Sequence, residues 1–213
     1  MRALVVAKAP VPGRVKTRLG AVIGMDAAAR VAAAALLDTL SACRSAFAEC
    51  HLALDGDLRG ACEEDELRDR LGGWVVHPQR GTTFGERLAL AHAAVAGPGP
   101  TVQIGMDTPQ VTATDLRGVA AASGAGNAVL GPAADGGWWV LALEDPTAAA
   151  GLAGVPMSRP DTCARTRDAL VAAGQTVVTA PTLRDVDTVA DAEAVAGALD
   201  GGHFRRAWRE ASR

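Results

Sequence analysis

Four cations stand within eleven residues of the stretch KAPVPGRVKTRLG (8–20): Lys8, Arg14, Lys16 and Arg18, with no acid among them. Lys8 and Lys16 are the only lysines of the 213-residue chain, and its first acid is Asp26. The intervening PVPG shapes a loop, because each proline fixes φ and lacks an N–H while Gly13 can turn where other residues cannot. Three acidic stretches follow at wide intervals: GMDTP with Asp107, GPAADGG with Asp135, and LRDVDT with Asp185 and Asp187. Cations on one segment and carboxylates on others suit a polyphosphate bound together with a hard divalent ion. Mg²⁺ (or Mn²⁺) takes one or two protein carboxylates and completes its shell with phosphate and water. Lysine and arginine then neutralise the phosphate charge that the metal leaves. Such chemistry is mostly positioning and charge stabilisation, since the reacting atoms come from the substrates.

Each piece also has a plainer reading. An exposed basic loop is usually solvated charge. Asp107 before Thr-Pro could be a turn residue, Asp135 before Gly-Gly an ordinary turn, and Asp185 or Asp187 a cap for a helix starting at Thr188. Trp138 and Trp139 are adjacent, so on a strand they face opposite sides; one belongs to the core and the other could stack on a base or sugar.

The elements that must position these groups are read from hydrophobic periodicity. Continuous apolar runs mark strands at 2–7, 50–55, 74–78, 101–105, 127–131, 138–143 and 175–180. Helical patterns fall between them, at 26–46, 58–71, 84–96, 112–122 and 161–174, with another after Thr188 and a basic one in the tail. Thr112 with Asp115, and Thr188 with Asp191, have the spacing of capping boxes. The segment 145–160 is the one long irregular stretch, of the length of a lid or binding loop. Alternation of this kind predicts a single α/β domain, 1–213, with a mostly parallel sheet covered by helices. In an open parallel sheet ligands bind beyond the carboxyl ends of the strands. The cationic loop and all three acidic stretches follow strands, so they are expected at one edge.

The totals exclude several classes. A net charge of −3 argues against a general nucleic-acid binder. No apolar run approaches the ~20 residues of a membrane span, and no signal peptide precedes the first strand, which leads to the expectation of a cytoplasmic protein with no membrane partner. The four cysteines lack C-x-x-C or zinc spacing and read as reduced thiols. There is no G-x-G-x-x-G after strand one, no P-loop glycine spacing, and no G-x-S-x-G. Oligomeric state is not encoded in any of these features.

The blocks AKAPVPGRVKTRLG, GMDTP, ADGGWWVLAL and LRDVDT resemble, in order, the signatures of a bacterial family with the nucleotide-diphospho-sugar transferase (GT-A) fold, often labelled an arsenosugar-biosynthesis-type glycosyltransferase. The first block and the Asp-Gly-Gly are also similar to phospholactate guanylyltransferases. The resemblance runs over about 2–195. It implies a GT-A-like α/β/α sandwich with a mostly parallel mixed sheet. It implies a nucleotide site at Ala7, Lys8, Ala9, Gly13, Arg14, Lys16 and Arg18, and a metal held by Asp107 and Asp187, with Asp185 the less favoured second acid. It implies an acceptor side at Asp135, Gly136, Gly137 and Ser158. RGTTFGERL (80–88) departs from the family pattern at Thr83 and Phe84, and MSRPDT (157–162) matches it only at Ser158 and Pro160, with Met157 in place of Trp. The expected activity is Mg-dependent nucleotidyl transfer from an NTP to a small anionic, phosphate-type acceptor, with pyrophosphate leaving. In that reading Lys16, Arg18 and Asp107 carry the catalytic charge stabilisation. The alternative is glycosyl transfer from a nucleotide-diphospho-sugar. The cation count favours the first, because a triphosphate and its pyrophosphate product demand more positive charge than a diphosphate.

Overall fold

A computed structural model of the chain describes residues 1–124 and 126–213. Seven strands form one sheet: β1 (Arg2–Lys8), β2 (Glu49–Asp55), β3 (Val75–Pro78), β4 (Thr101–Gly105), β5 (Asn127–Pro132), β6 (Trp138–Leu143) and β7 (Thr176–Thr179). Their spatial order is β3-β2-β1-β4-β6-β5-β7. β6 runs antiparallel to both of its neighbours and all other pairings are parallel. The mostly parallel mixed sheet expected from the sequence is therefore present.

β1 lies near the centre and is buried along Arg2–Ala7. Its alternate side chains serve two layers. Ala3, Val5 and Ala7 join one apolar cluster with the 22-residue helix α2 (Met25–Ala46), whose buried stripe includes Leu36, Leu37 and Leu40. Leu4 and Val6 point the other way, toward Leu88 and Leu152. Leu88 belongs to α4 (Phe84–Ala94), after α1 (Thr17–Ile23), α2 and α3 (Glu64–Arg70). Each fully buried leucine contributes roughly 1.5–3 kcal/mol relative to exposure, so two-sided burial of the central strand anchors the frame on which the site is built.

The remaining helices are α5 (Ala113–Ala122), α6 (Thr162–Ala172), α7 (Val189–Ala198) and α8 (His203–Ala211). Capping boxes open α4, α5 and α7 at Thr83, Thr112 and Thr188. Neither Asp185 nor Asp187 caps α7, because Thr188 and Asp191 satisfy its first turn between themselves. Two elements differ from the sequence reading. The cationic stretch ends in a helix, α1, starting directly after Lys16. The segment read as irregular holds a 3-10 helix, Pro146–Gly154, capped by Asp145 and packed on α4; its small residues let the two helices approach. The cysteines are free thiols. No described helix is long and apolar enough to cross a membrane.

Candidate active site

The carboxyl ends of β1, β4, β5 and β7 lie on one edge of the sheet, where the antiparallel β6 begins. Lys8 ends β1 there, and Asp107 follows β4 by two residues. The chain after β7 is stitched across this edge by backbone bonds. Leu183 N–H donates to Pro132 O at 3.1 Å, Ala134 N–H to Leu183 O at 2.9 Å, and Val186 N–H to Asp107 O at 2.9 Å. Val186 is buried between Asp185 and Asp187, so the two acids flank an anchored point. This lattice brings residues about eighty positions apart in sequence into one cluster.

The loop after β1 turns at Gly13, whose φ of 75° suits glycine, and Arg14 N–H closes the turn on Val11 O. Lys16 then takes a left-handed conformation, φ 46° and ψ 41°, immediately before α1. That geometry sends its side chain inward. Its ammonium lies 2.7 Å from Asp107 Oδ1 and 2.9 Å from Asp187 Oδ1, with the side chain only 7% exposed. Arg18 reaches Asp187 at 3.7 Å from a largely exposed position, and Lys8 meets Asp55 at 3.8 Å. Arg14 has no ion pair among the described residues. Together Lys8, Arg14, Lys16, Arg18, Met106, Asp107 and Asp187 line a cleft of about 300 Å³. Its four cations outnumber its two acids, so the cleft retains positive charge for an anion.

A second notch of about 230 Å³ adjoins it, sharing Met106, Asp107 and Asp187. Its apolar wall includes Phe84, Trp138 and Met157, and its polar lining includes Asp135, Asp185, Gly137, Ser158, Arg159 and Thr108. Asp135 Oδ1 accepts the Gly137 N–H at 2.8 Å. Gly136, at φ 91°, lies so close to Pro160 that a β-carbon would stand 2.1 Å from that residue's carbonyl oxygen. Its own carbonyl accepts the N–H of Cys163 in α6. Trp139 turns into the core and donates to Pro181 O, while Trp138 is half-buried and donates to Thr166 Oγ1. Both tryptophans reach the notch, Trp139 from within one core cluster and Trp138 from a half-buried place against the other.

Electrostatics set the cluster apart. Burial pushes the Asp185 carboxyl up to about 7, with the charges of Asp107, Asp135 and Asp187 adding to the rise and Lys16 opposing it. For Lys16, burial works downward but is outweighed by the carboxylates of Asp107 and Asp187, and its pKa is raised overall. The ammonium is firmly charged, and the carboxylates around it remain in excess.

The donor set suits a hard divalent cation. Asp107 and Asp187 present two carboxylate oxygens to one point, marked by the ammonium they share. Asp107 Oδ1 is buried and accepts no hydrogen bond of regular geometry, its contact being the ion pair with Lys16. Among the described residues no group of three or more His, Cys, Asp or Glu forms a self-sufficient cage, so an ion here would draw further ligands from water and phosphate, as Mg²⁺ does.

The geometry unites Lys8, Arg14, Lys16, Arg18, Asp107 and Asp187 in one cleft, and Asp135, Gly137 and Ser158 in the notch beside it. Gly136 shapes the turn behind. Ala7 and Ala9 are buried and do not line the cleft; Ala7 O accepts from Gln79 Nε2 and Ala9 N–H donates to Asp55 O. Sequence reasoning assigned no site role to Met106, Phe84 or Arg159. Met106 had a visible signal, its position beside Asp107. Phe84 stood out only as a departure from the family pattern and Arg159 only as a member of the MSRPDT block; their convergence on the notch is tertiary.

A helix-covered, mostly parallel mixed sheet with a cationic loop and an acidic cluster on its carboxyl edge is the architecture of the nucleotide-diphospho-sugar transferase (GT-A) fold. A candidate nucleotide-diphospho-sugar transferase from Desulfovibrio desulfuricans G20 is 27% identical, with a TM-score of 0.82 over 98% of this chain and 92% of that one. The fold is shared more distantly with a nucleotidyl transferase from Methanothermobacter thermautotrophicus, 17% identical, TM-score 0.53, covering 97% and 98% of the two chains. It is also shared with Rv0371c of Mycobacterium tuberculosis H37Rv in complex with manganese, 21% identical, TM-score 0.52, covering 93% and 99%. A comparison with curated proteins finds no match. Residues 36–159 match the family described as "Uncharacterized protein conserved in bacteria (DUF2064)", and the chain belongs to it.

Proposed function

We propose that this protein is a metal-dependent nucleotidyltransferase, moving a nucleotidyl group from an NTP to a small acceptor with release of pyrophosphate. The observation that carries the reading is the cleft in which four cations face Asp107 and Asp187. Arg14, Arg18 and Lys8 are placed to bind the polyphosphate, and charge-assisted contacts of this kind are the strong ones. Lys16 lies deepest and is placed to neutralise charge that builds on the leaving pyrophosphate. Asp107 and Asp187 would hold Mg²⁺ or Mn²⁺, which when bound supplies Lewis-acid stabilisation of phosphoryl oxygens. The Mycobacterium tuberculosis relative in complex with manganese supports divalent metal use.

The notch is the acceptor side. Asp135, through its turn, and Gly136, through its fit against Pro160, fix the wall. Phe84, Trp138 and Met157 offer an apolar face. Arg159 is the cation among the residues lining this notch, against Asp107, Asp135, Asp185 and Asp187. A phosphate-type acceptor would therefore be oriented with its anion at the Arg159 end.

The Desulfovibrio desulfuricans relative favours a second reading, glycosyl transfer from a nucleotide-diphospho-sugar. The two separate in one experiment, a thermal-shift screen of the four NTPs and common nucleotide-sugars with and without Mg²⁺. Stabilisation by an NTP and not by the sugars supports the first reading; the reverse pattern sinks it. Pyrophosphate release in the presence of pooled metabolites then finds the acceptor.

A further inference from the structure

Lys16 belongs to the phosphate-binding loop by sequence and to the metal cradle by position. Its ammonium sits 2.7 Å from Asp107 Oδ1 and 2.9 Å from Asp187 Oδ1, almost out of solvent. A hard divalent ion would need those same oxygens at about 2.0–2.1 Å, in the space the ammonium now fills. Two cations there would repel with little water to screen them. Lys16 is a non-glycine residue in the left-handed region, directly at the junction between the loop and α1. The cleft beside it is lined by Lys8, Arg14 and Arg18, a set of cations that attracts polyphosphate.

We propose that Lys16 is an internal counter-cation that keeps the Asp107–Asp187 cradle closed to free metal, so that the divalent ion enters together with a nucleotide polyphosphate. The incoming phosphates give the ammonium a second anionic partner. The ammonium would pass to the phosphates as a divalent ion took the carboxylates, so neither Lys16 nor the two acids would be left without a counter-charge. This rests on the metal-dependent reading above and adds an order of binding to it. The device would keep the enzyme from being occupied by metal when no nucleotide is present.

The test uses the full chain without nucleotide. Mn²⁺ binding is measured by calorimetry for the wild type, Lys16→Met and Lys16→Arg, with folding checked by circular dichroism. Lys16→Met is expected to bind Mn²⁺ at least about ten-fold more tightly than the wild type, and Lys16→Arg to stay weak, because charge and not length blocks the site. Adding Asp107→Asn to Lys16→Met is expected to abolish the gain. A second readout does not depend on a substitution. The chain has two lysines, so ¹⁵N-lysine labelling gives two side-chain ammonium signals. That of Lys16 is expected to be unmoved by Mg²⁺ alone and to shift with Mg²⁺ plus tripolyphosphate. Tight Mn²⁺ binding by the wild type alone, or no gain in Lys16→Met, overturns the closed cradle and leaves the metal-dependent reading standing. Absence of Mn²⁺ binding by every variant, with or without tripolyphosphate, overturns both.

Discussion

Val186 donates its backbone N–H to the carbonyl of Asp107 at 2.9 Å. Through that bond the acid after β4 and the acids after β7 share one anchor. It explains how Asp107 and Asp187 come to grip the same ammonium although they lie on separate strand connections. Val186 is buried, so the anchor is protected from water.

Asp107→Asn is expected to remove the metal-dependent part of NTP binding and to lower turnover by about 100-fold or more, on the scale of losing one positioned charge in a site of this kind. The fold should survive, since the backbone carbonyl that holds Val186 is untouched. Thermal shift with NTP, with and without Mg²⁺, checks the first point and circular dichroism the second. An unchanged Mg²⁺ response would remove Asp107 from the metal site.

Arg14→Ala and Arg18→Ala each remove an exposed cation from the cleft. Each is expected to weaken NTP binding about ten-fold, by loss of a charge-assisted contact, with little change in melting temperature. The loss should shrink as salt rises, because screening already weakens exposed charges. Equilibrium binding at low and high ionic strength measures it.

Gly136→Ala would bring a β-carbon to 2.1 Å from the Pro160 carbonyl oxygen at a φ of 91°. The backbone of two segments would have to part. The expected cost is about 2–4 kcal/mol, a drop of roughly 5–15 °C in melting temperature for a domain of this size. NTP-induced stabilisation should persist, since Gly136 does not line the cationic cleft. Differential scanning fluorimetry reads both quantities.

His92 is fully buried, bonds Gln103 Oε1 at 2.9 Å, and has its pKa pushed by burial from 6.5 to about 4. The unfolded chain therefore binds the proton more readily. The His92 contribution is fully present above about pH 6.5 and is lost as pH falls toward 4, by on the order of 3 kcal/mol. Asp185, raised to about 7, contributes with the opposite sign over the same range, so the His92 effect is read as a difference: in urea denaturation between pH 7 and pH 4 the stability of His92→Gln, which keeps a partner for Gln103 without an ionisable ring, should rise relative to that of the wild type as pH falls.

Much of the frame was legible in the sequence because burial on both faces leaves continuous apolar runs, as in Arg2–Ala7 and Trp138–Leu143. The reversed direction of β6 was not, since side-chain alternation reads the same either way along a strand. Helix α1 was hidden by the prolines and Gly13 just before it, which make the whole stretch look like loop. The meeting of Lys8, Arg14, Lys16 and Arg18 with Asp107 and Asp187 could be anticipated from the rule that parallel strands present ligands at their carboxyl ends. The inward aim of Lys16 could not, because it depends on one left-handed residue. The separate surroundings of Asp185 and Asp187 were equally hidden: Asp187 touches Lys16, whereas Asp185 is pressed among carboxylates.

The cleft draws its charge from Lys8 at the end of β1 and from Asp187 on the connection after β7. A ligand held by both would tie a central strand to the segment that follows an edge strand, so occupancy would resist the peeling of that segment from the sheet.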